Sequence, residues 1–128
     1  MISVGEFTIR PDSDSGARPS TLFIQKGEDH LALTYHADDT LFARWNSNYG
    51  TDDEDFSSIS REEREALKVM GTNLPPAMFL EQADADLRQR IAKVGEERLT
   101  RIFEKLFKIC AREARRFERP AFLRWLPF

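Results

Sequence analysis

Two histidines, one cysteine and two blocks of like charge are the side chains of this 128-residue chain whose types and spacing bear on chemistry. His30 and His36 are an even six positions apart, so on a strand they share one face with Ala32 and Thr34 between them. At about 3.3 Å per residue they would stand roughly 20 Å apart, too far to hold one metal ion or one substrate atom. Two-histidine phosphoesterases need a His-x-Thr or His-x-Ser tripeptide twice, and the tripeptides here are His30-Leu31-Ala32 and His36-Ala37-Asp38. Both histidines therefore read as residues on the solvent face of a strand. Cys110 falls on the apolar stripe of a helix, where a cysteine acts as a small hydrophobe and no neighbour offers an activating base. No Gly-x-Ser-x-Gly elbow or Gly-rich phosphate loop occurs, and the six glycines are scattered singly. These observations predict no catalytic residue, no metal site and no cofactor, and so a protein that is not an enzyme.

The first charged block is Asp52-Asp53-Glu54-Asp55. It lacks the alternating ligands, central glycine and terminal glutamate of an EF-hand loop. With Asp38 and Asp39 at a neighbouring turn it could turn six carboxylates to one side. A finger of that kind suits a basic protein surface such as a nuclease active site, where carboxylates occupy the place of phosphates. The plainer reading is a solvated loop. The second block runs along a helix: Arg101, Lys105, Lys108, Arg112, Arg115 and Arg119 follow steps of three and four residues, opposite the phenylalanines of that helix. Such a stripe can track a phosphate backbone, although the chain's pI of about 5.5 is far from basic and arginine stems also simply cover apolar surface.

These blocks lie in opposite halves. Residues 1–60 carry four basic and eleven acidic side chains, a balance of −7, while residues 61–128 carry fifteen and eleven, a balance of +4, so the net charge of −3 conceals a segregation. The 41% hydrophobic and 32% charged content over 128 residues is that of one globular domain large enough to need no disulfide or metal. No run approaches a membrane span, and Met1-Ile2-Ser3-Val4-Gly5-Glu6 lacks the features of a signal peptide, so a cytoplasmic location is expected.

The elements that must position these side chains divide in the same way. Residues 1–46 read as a β-meander. Ile2, Val4, Phe7 and Ile9 alternate with polar residues, with Gly5 placed for a bulge; Pro11 to Pro19 is a loop; Thr21–Lys26, His30–His36 and Leu41–Trp45 follow. Connections of about three residues join only antiparallel neighbours. Residues 47–59 form the acidic connector. Residues 60–119 are helical: Ser60 and Glu63 make a capping box, Arg61 to Met70 carries Ala66, Leu67 and Met70, and Gly71 suits a left-handed terminus. Pro75-Pro76 presets a second helix with Phe79 or Leu80, Ala83, Leu87, Ile91 and Val94 on one stripe. Leu99, Phe103, Leu106, Cys110, Ala114 and Phe117 continue the pattern. Residues 76–118 are one bent helix or two, with Gly95 deciding. Residues 120–128 are an apolar tail with five large side chains in its last seven residues. Such a tail either folds back on the domain or makes an oligomer or partner contact through Phe122, Trp125 and Phe128.

The pattern of strands first and helices after predicts an α+β domain in which an antiparallel sheet of three to four strands packs against two to three helices. The expected function is a small non-enzymatic inhibitor that binds another protein with a basic surface, such as an immunity protein for a toxin or a phage-encoded inhibitor, using Asp38, Asp39 and Asp52 to Asp55. The alternative is a nucleic-acid-binding regulator using the basic helix. No membrane partner is expected, and the chain would be a monomer or homodimer.

Overall fold

Strands with alternating apolar side chains build one antiparallel sheet. The computed structural model describes residues 2–11, 21–47, 49–75 and 78–118. Six strands, β1 (Ile2–Val4), β2 (Phe7–Pro11), β3 (Thr21–Lys26), β4 (Asp29–Tyr35), β5 (Leu41–Trp45) and β6 (Tyr49–Thr51), lie in sequence order, each antiparallel to the next. Three helices follow, α1 (Arg61–Gly71), α2 (Leu80–Val94) and α3 (Glu96–Glu118). The arrangement is α+β with an N-terminal sheet and C-terminal helices.

The sheet has six strands rather than three to four, for two local reasons. Gly5 does not bulge a single strand. Its φ of 59° turns the chain back, so that Val4 pairs with Phe7 across a two-residue connection and both stay on the core face. The second addition is β6, inside the stretch read as a polar connector, where Thr51 pairs with Ala43. Asn46 and Ser47, at φ 49° and 61°, make the turn that returns the chain to β5. Asparagine takes this left-handed conformation more readily than most residues.

One face of the sheet is core. Ile2, Val4, Phe7, Ile9, Leu22, Ile24, Leu31, Leu33, Tyr35, Leu41, Ala43 and Trp45 are buried there beneath the helices. From the helices come Leu67, Met70, Leu87, Leu99, Phe103, Leu106 and Cys110, all fully buried. Phe7 is the hub of the aromatic packing, with its ring edge-on to Phe103 at 5.6 Å and to Phe107 at 5.0 Å. Trp45 meets Phe107 at 5.1 Å, and such pairs add about 0.5–1.5 kcal/mol each beyond the area they bury.

The capping box at Ser60 and Glu63 is present with both reciprocal hydrogen bonds. Gly71, expected as the left-handed terminus of α1, instead lies within the helix; the left-handed residue is Asn73, at φ 53°. Arg90 of α2 closes that helix end, donating to the carbonyls of Val69 at 2.8 Å and Asn73 at 3.1 Å while held by Asp86 at 2.6 Å. Gly95, at φ 100°, breaks α2 from α3, which settles residues 80–118 as two helices. The second helix starts at Leu80 rather than at the prolines, and Met78, Phe79 and Leu80 are exposed, so its buried stripe begins at Ala83. The N-terminus of α3 sits against the β1–β2 turn: Glu96 accepts from the Gly5 N–H at 3.2 Å, and a Cβ on Gly5 would fall 2.9 Å from the Thr100 hydroxyl. No helix among the described residues is long and apolar enough to cross a membrane.

Candidate functional site

In an antiparallel meander the turns after odd-numbered strands lie at one end and those after even-numbered strands at the other. The turn carrying Asp38 and Asp39 follows β4, and the acidic run follows β6, so topology alone places all six carboxylates at the same end. A hydrogen bond joins the two segments, from the Leu41 N–H to Asp53 at 3.1 Å. Residues 52–59 are wound by successive i→i+3 backbone hydrogen bonds, from Asp55 to Asp52, Phe56 to Asp53 and Ile59 to Phe56, and are anchored by buried Phe56 and Ile59.

The six carboxylates differ in how they are held. Asp53 accepts from the Arg64 guanidinium at 2.6 Å, which holds its carboxyl below the usual range, with the Leu41 N–H acting in the same direction against a partial desolvation. Asp39 pairs with Lys68 at 3.2 Å and accepts from the Tyr35 hydroxyl at 3.3 Å. Burial and the Asp39 charge raise the Tyr35 phenol above its ordinary value. Asp38 is exposed and accepts from the Thr40 hydroxyl at 2.6 Å and its N–H at 3.2 Å, which lowers its carboxyl. Among the described residues Asp38, Asp52, Glu54 and Asp55 have no cation within ion-pair distance. The acidic end is thus a wound segment bearing Asp52, Glu54 and Asp55 beside a turn bearing Asp38, four carboxylates without an ion-pair partner among the described residues, while Asp39 and Asp53 belong to its internal bonding.

Beneath α3, Cys110 is fully buried and burial pushes its thiol up to about 12, with the neighbouring Thr51 hydroxyl acting the other way. A thiol in that state is not a nucleophile near neutral pH. The Thr51 hydroxyl is itself buried and makes no hydrogen bond of ordinary geometry among the described residues. Glu113, only 6% exposed, is the buried carboxylate that sequence spacing did not single out, and it is bracketed by Arg112 at 3.4 Å and Arg116 at 3.3 Å. The histidines are apart. His30 stacks on Phe23 at 5.1 Å on the sheet face away from the helices and bonds Ser47 at 3.2 Å, and His36 is exposed just past the end of β4. Among the described residues no group of three or more His, Cys, Asp or Glu gathers as a metal site would require.

The basic stripe is divided by the structure. Lys105, Lys108, Arg112 and Arg115 line a groove of about 1050 Å³ between α3 and the β3–β4 turn. Arg101 is exposed outside it, and Arg119 lies outside the described residues, as do Phe122, Trp125 and Phe128. The opposite wall is Lys26 with Gly27, Glu28 and Asp29, and the floor is the edges of Phe7, Trp45 and Phe107. Lys105 is engaged by Glu63 at 3.0 Å, Lys26 by Glu6 at 3.2 Å, and Arg112 by Glu113. Comparison with family models, curated proteins and solved structures finds no match to this chain.

Sequence spacing anticipated the α3 wall of this groove because a helix repeats at fixed steps. Lys26 and Trp45 come from other elements, and only the sheet register brings them opposite α3. Arg64 was missed for a similar reason: it reaches eleven residues back, to Asp53 and to the Phe56 carbonyl at 3.0 Å. Its one sequence signal is that an acidic run of four next to a buried phenylalanine calls for a nearby cation.

Proposed function

We propose that this chain is a small non-enzymatic inhibitor that binds another protein through its acidic end, in the manner of an immunity protein for a toxin or a phage-encoded inhibitor. The observation that carries the reading is the junction of the 37–40 turn and Leu41 with the 52–59 segment through Asp53 and Arg64, which ties together the two segments that bear Asp38, Asp52, Glu54 and Asp55. Preorganisation matters because a flexible acidic loop would lose conformational entropy on docking, and a wound one has lost most of it already. The complementary partner has a basic surface, and long-range attraction between the two raises the rate of encounter.

The test uses Asp52→Lys, Glu54→Lys and Asp55→Lys together, leaving Asp53 in place because its ion pair with Arg64 is part of the fold. Wild type and the triple variant serve as baits in extract from the native cell at about 150 mM salt, with the captured protein identified by mass. The expected result is a basic protein whose activity the wild-type chain inhibits stoichiometrically, with affinity reduced at least tenfold by the triple reversal. Equal capture by both baits, or capture without inhibition, would sink the proposal.

A further inference from the structure

The groove between α3 and the β3–β4 turn, which reaches Ser58 of the 52–59 segment, carries chemistry that the acidic carboxylates do not use. Its lining holds five cations, Lys26, Lys105, Lys108, Arg112 and Arg115, against Glu28, Asp29 and Glu104, and three of the five are ion-paired, to Glu6, Glu63 and Glu113. Lys108 has no ion-pair partner among the described residues, and Arg115 has none among residues up to 116. The three outer cations of α3, at positions 108, 112 and 115, are four and three residues apart on one helix face, which at about 1.5 Å of rise per residue spaces them by roughly 5–6 Å in a row. A single carboxylate head would engage one or two members of such a row, whereas a polyanion with regularly repeated charges engages all of it. The floor supplies the second element. Trp45 and Phe107, 7% and 9% exposed, contribute small aromatic edges to the groove lining.

We infer that this groove binds a short stretch of single-stranded nucleic acid, with phosphates along Lys108, Arg112 and Arg115 and a base against the Trp45 and Phe107 edges. A positive groove that tracks a backbone beside aromatic side chains is how proteins hold single strands without reading sequence. The groove is lined from two elements, α3 and the Lys26–Asp29 turn. An acidic peptide would satisfy the cations and leave the aromatic edges unused. The inference is independent of the acidic end and goes beyond the protein-binding reading.

The test is fluorescence anisotropy with a labelled twelve-nucleotide oligo-dT and the whole chain. With about three phosphates neutralised, affinity should fall about 15- to 20-fold between 50 and 200 mM salt. Lys108→Glu with Arg115→Glu should weaken binding at least tenfold and Lys26→Glu several-fold, while Arg101→Glu, on the same helix outside the groove, should change it less than twofold. All four side chains are exposed, so the variants keep the wild-type thermal midpoint; Lys108→Gln with Arg115→Gln serves if the reversal unfolds the chain. No binding at 50 mM salt overturns the inference. So does an Arg101→Glu effect as large as that of the groove variants, which would mean diffuse attraction, and so does displacement by a twelve-residue polyglutamate as readily as by unlabelled oligo-dT, which would mean an acidic peptide site. Tighter binding of a duplex of the same length also overturns it.

Discussion

The acidic end and the cationic groove hold similar numbers of charges, and each divides into charges bonded into the fold and charges without an ion-pair partner among the described residues. At the acidic end Asp53 is bonded to the Leu41 backbone and to Arg64, Asp39 to Lys68 and Tyr35, and Asp38 to Thr40. In the groove Lys108 has no such partner among the described residues and Arg115 none among residues up to 116, while the apolar floor belongs to the core. Charge that is hydrogen-bonded inside a protein stabilises that protein, and charge facing open space is left for a ligand. The contrast teaches that the bonded charges, Asp39 and Asp53, should be sensitive in stability and the unpaired ones, Asp52 and Glu54 at the acidic end and Lys108 in the groove, in binding, with the groove floor sensitive in stability.

The floor therefore gives the largest expected effect. Phe107→Ala removes a ring that packs edge-on against both Phe7 and Trp45 at 5.0 and 5.1 Å, and the resulting cavity should cost about 3–5 kcal/mol, measured as a shift in the urea midpoint. A loss under about 1 kcal/mol would show that the floor is a loose surface rather than core, and the comparison would fail at its base.

Next in size is the difference between a bound and an unbound arginine. Arg64→Ala removes the partner of Asp53 and a donor to the buried segment's Phe56 carbonyl. Asp53 is 42% exposed, so the ion pair is discounted for screening, and the total expected loss is about 1–2 kcal/mol. Arg115→Ala should stay within about 0.5 kcal/mol of wild type. Equal losses for the two, read by thermal or urea unfolding, would erase the distinction between bonded and unpaired charges.

Which of these features could be read from the sequence follows from the range of the interaction that makes them. The capping box of Ser60 and Glu63 and the apolar stripe of α3 through Leu99, Phe103, Leu106 and Cys110 are set within a few residues and were legible, whereas the spacing left open whether Gly95 breaks the helix or bends it. The division of the first strand at Gly5 was not, because Ile2, Val4, Phe7 and Ile9 occupy one face whether the chain bulges or turns; the contact of Thr100 and Glu96 with that turn comes from 91 to 95 residues away. Strand β6 has no apolar alternation to announce it and forms because β5 offers an unpaired edge. The clustering of Asp38 and Asp39 with residues 52–55 was anticipated as a possibility of one side, yet the neutralisation of Asp39 and Asp53 by α1 was not, since it depends on how the helix docks. The same holds for Lys26 and Trp45 facing α3 across the groove.

The smallest expected effect is a pH dependence that resides in the bonded charges alone. Asp53 lies below its ordinary value because of Arg64, and Glu63 lies below its own because hydrogen bonds from the Ser60 N–H, Lys105 and the Ser60 hydroxyl together outweigh the upward push of burial. For both groups the folded state favours the ionised form more than the unfolded chain does. Each therefore contributes stability above the ordinary carboxylate range, near pH 4, and loses it as pH falls through the lower folded value. Wild type should become less stable from about pH 5 downward. Asp53→Asn should be less stable than wild type by about 0.5–1 kcal/mol at pH 7, a figure already reduced for the exposure of the pair, and the gap should close by about pH 3. Urea midpoints at pH 7, 5, 4 and 3 give the comparison. A gap that stays constant across that range would mean that Asp53 acts through its shape and not its charge. The same series on Lys108→Gln should show no pH-dependent difference at all, because that lysine pairs with no described carboxylate. A difference there would place it among the bonded charges and not among those left for a ligand.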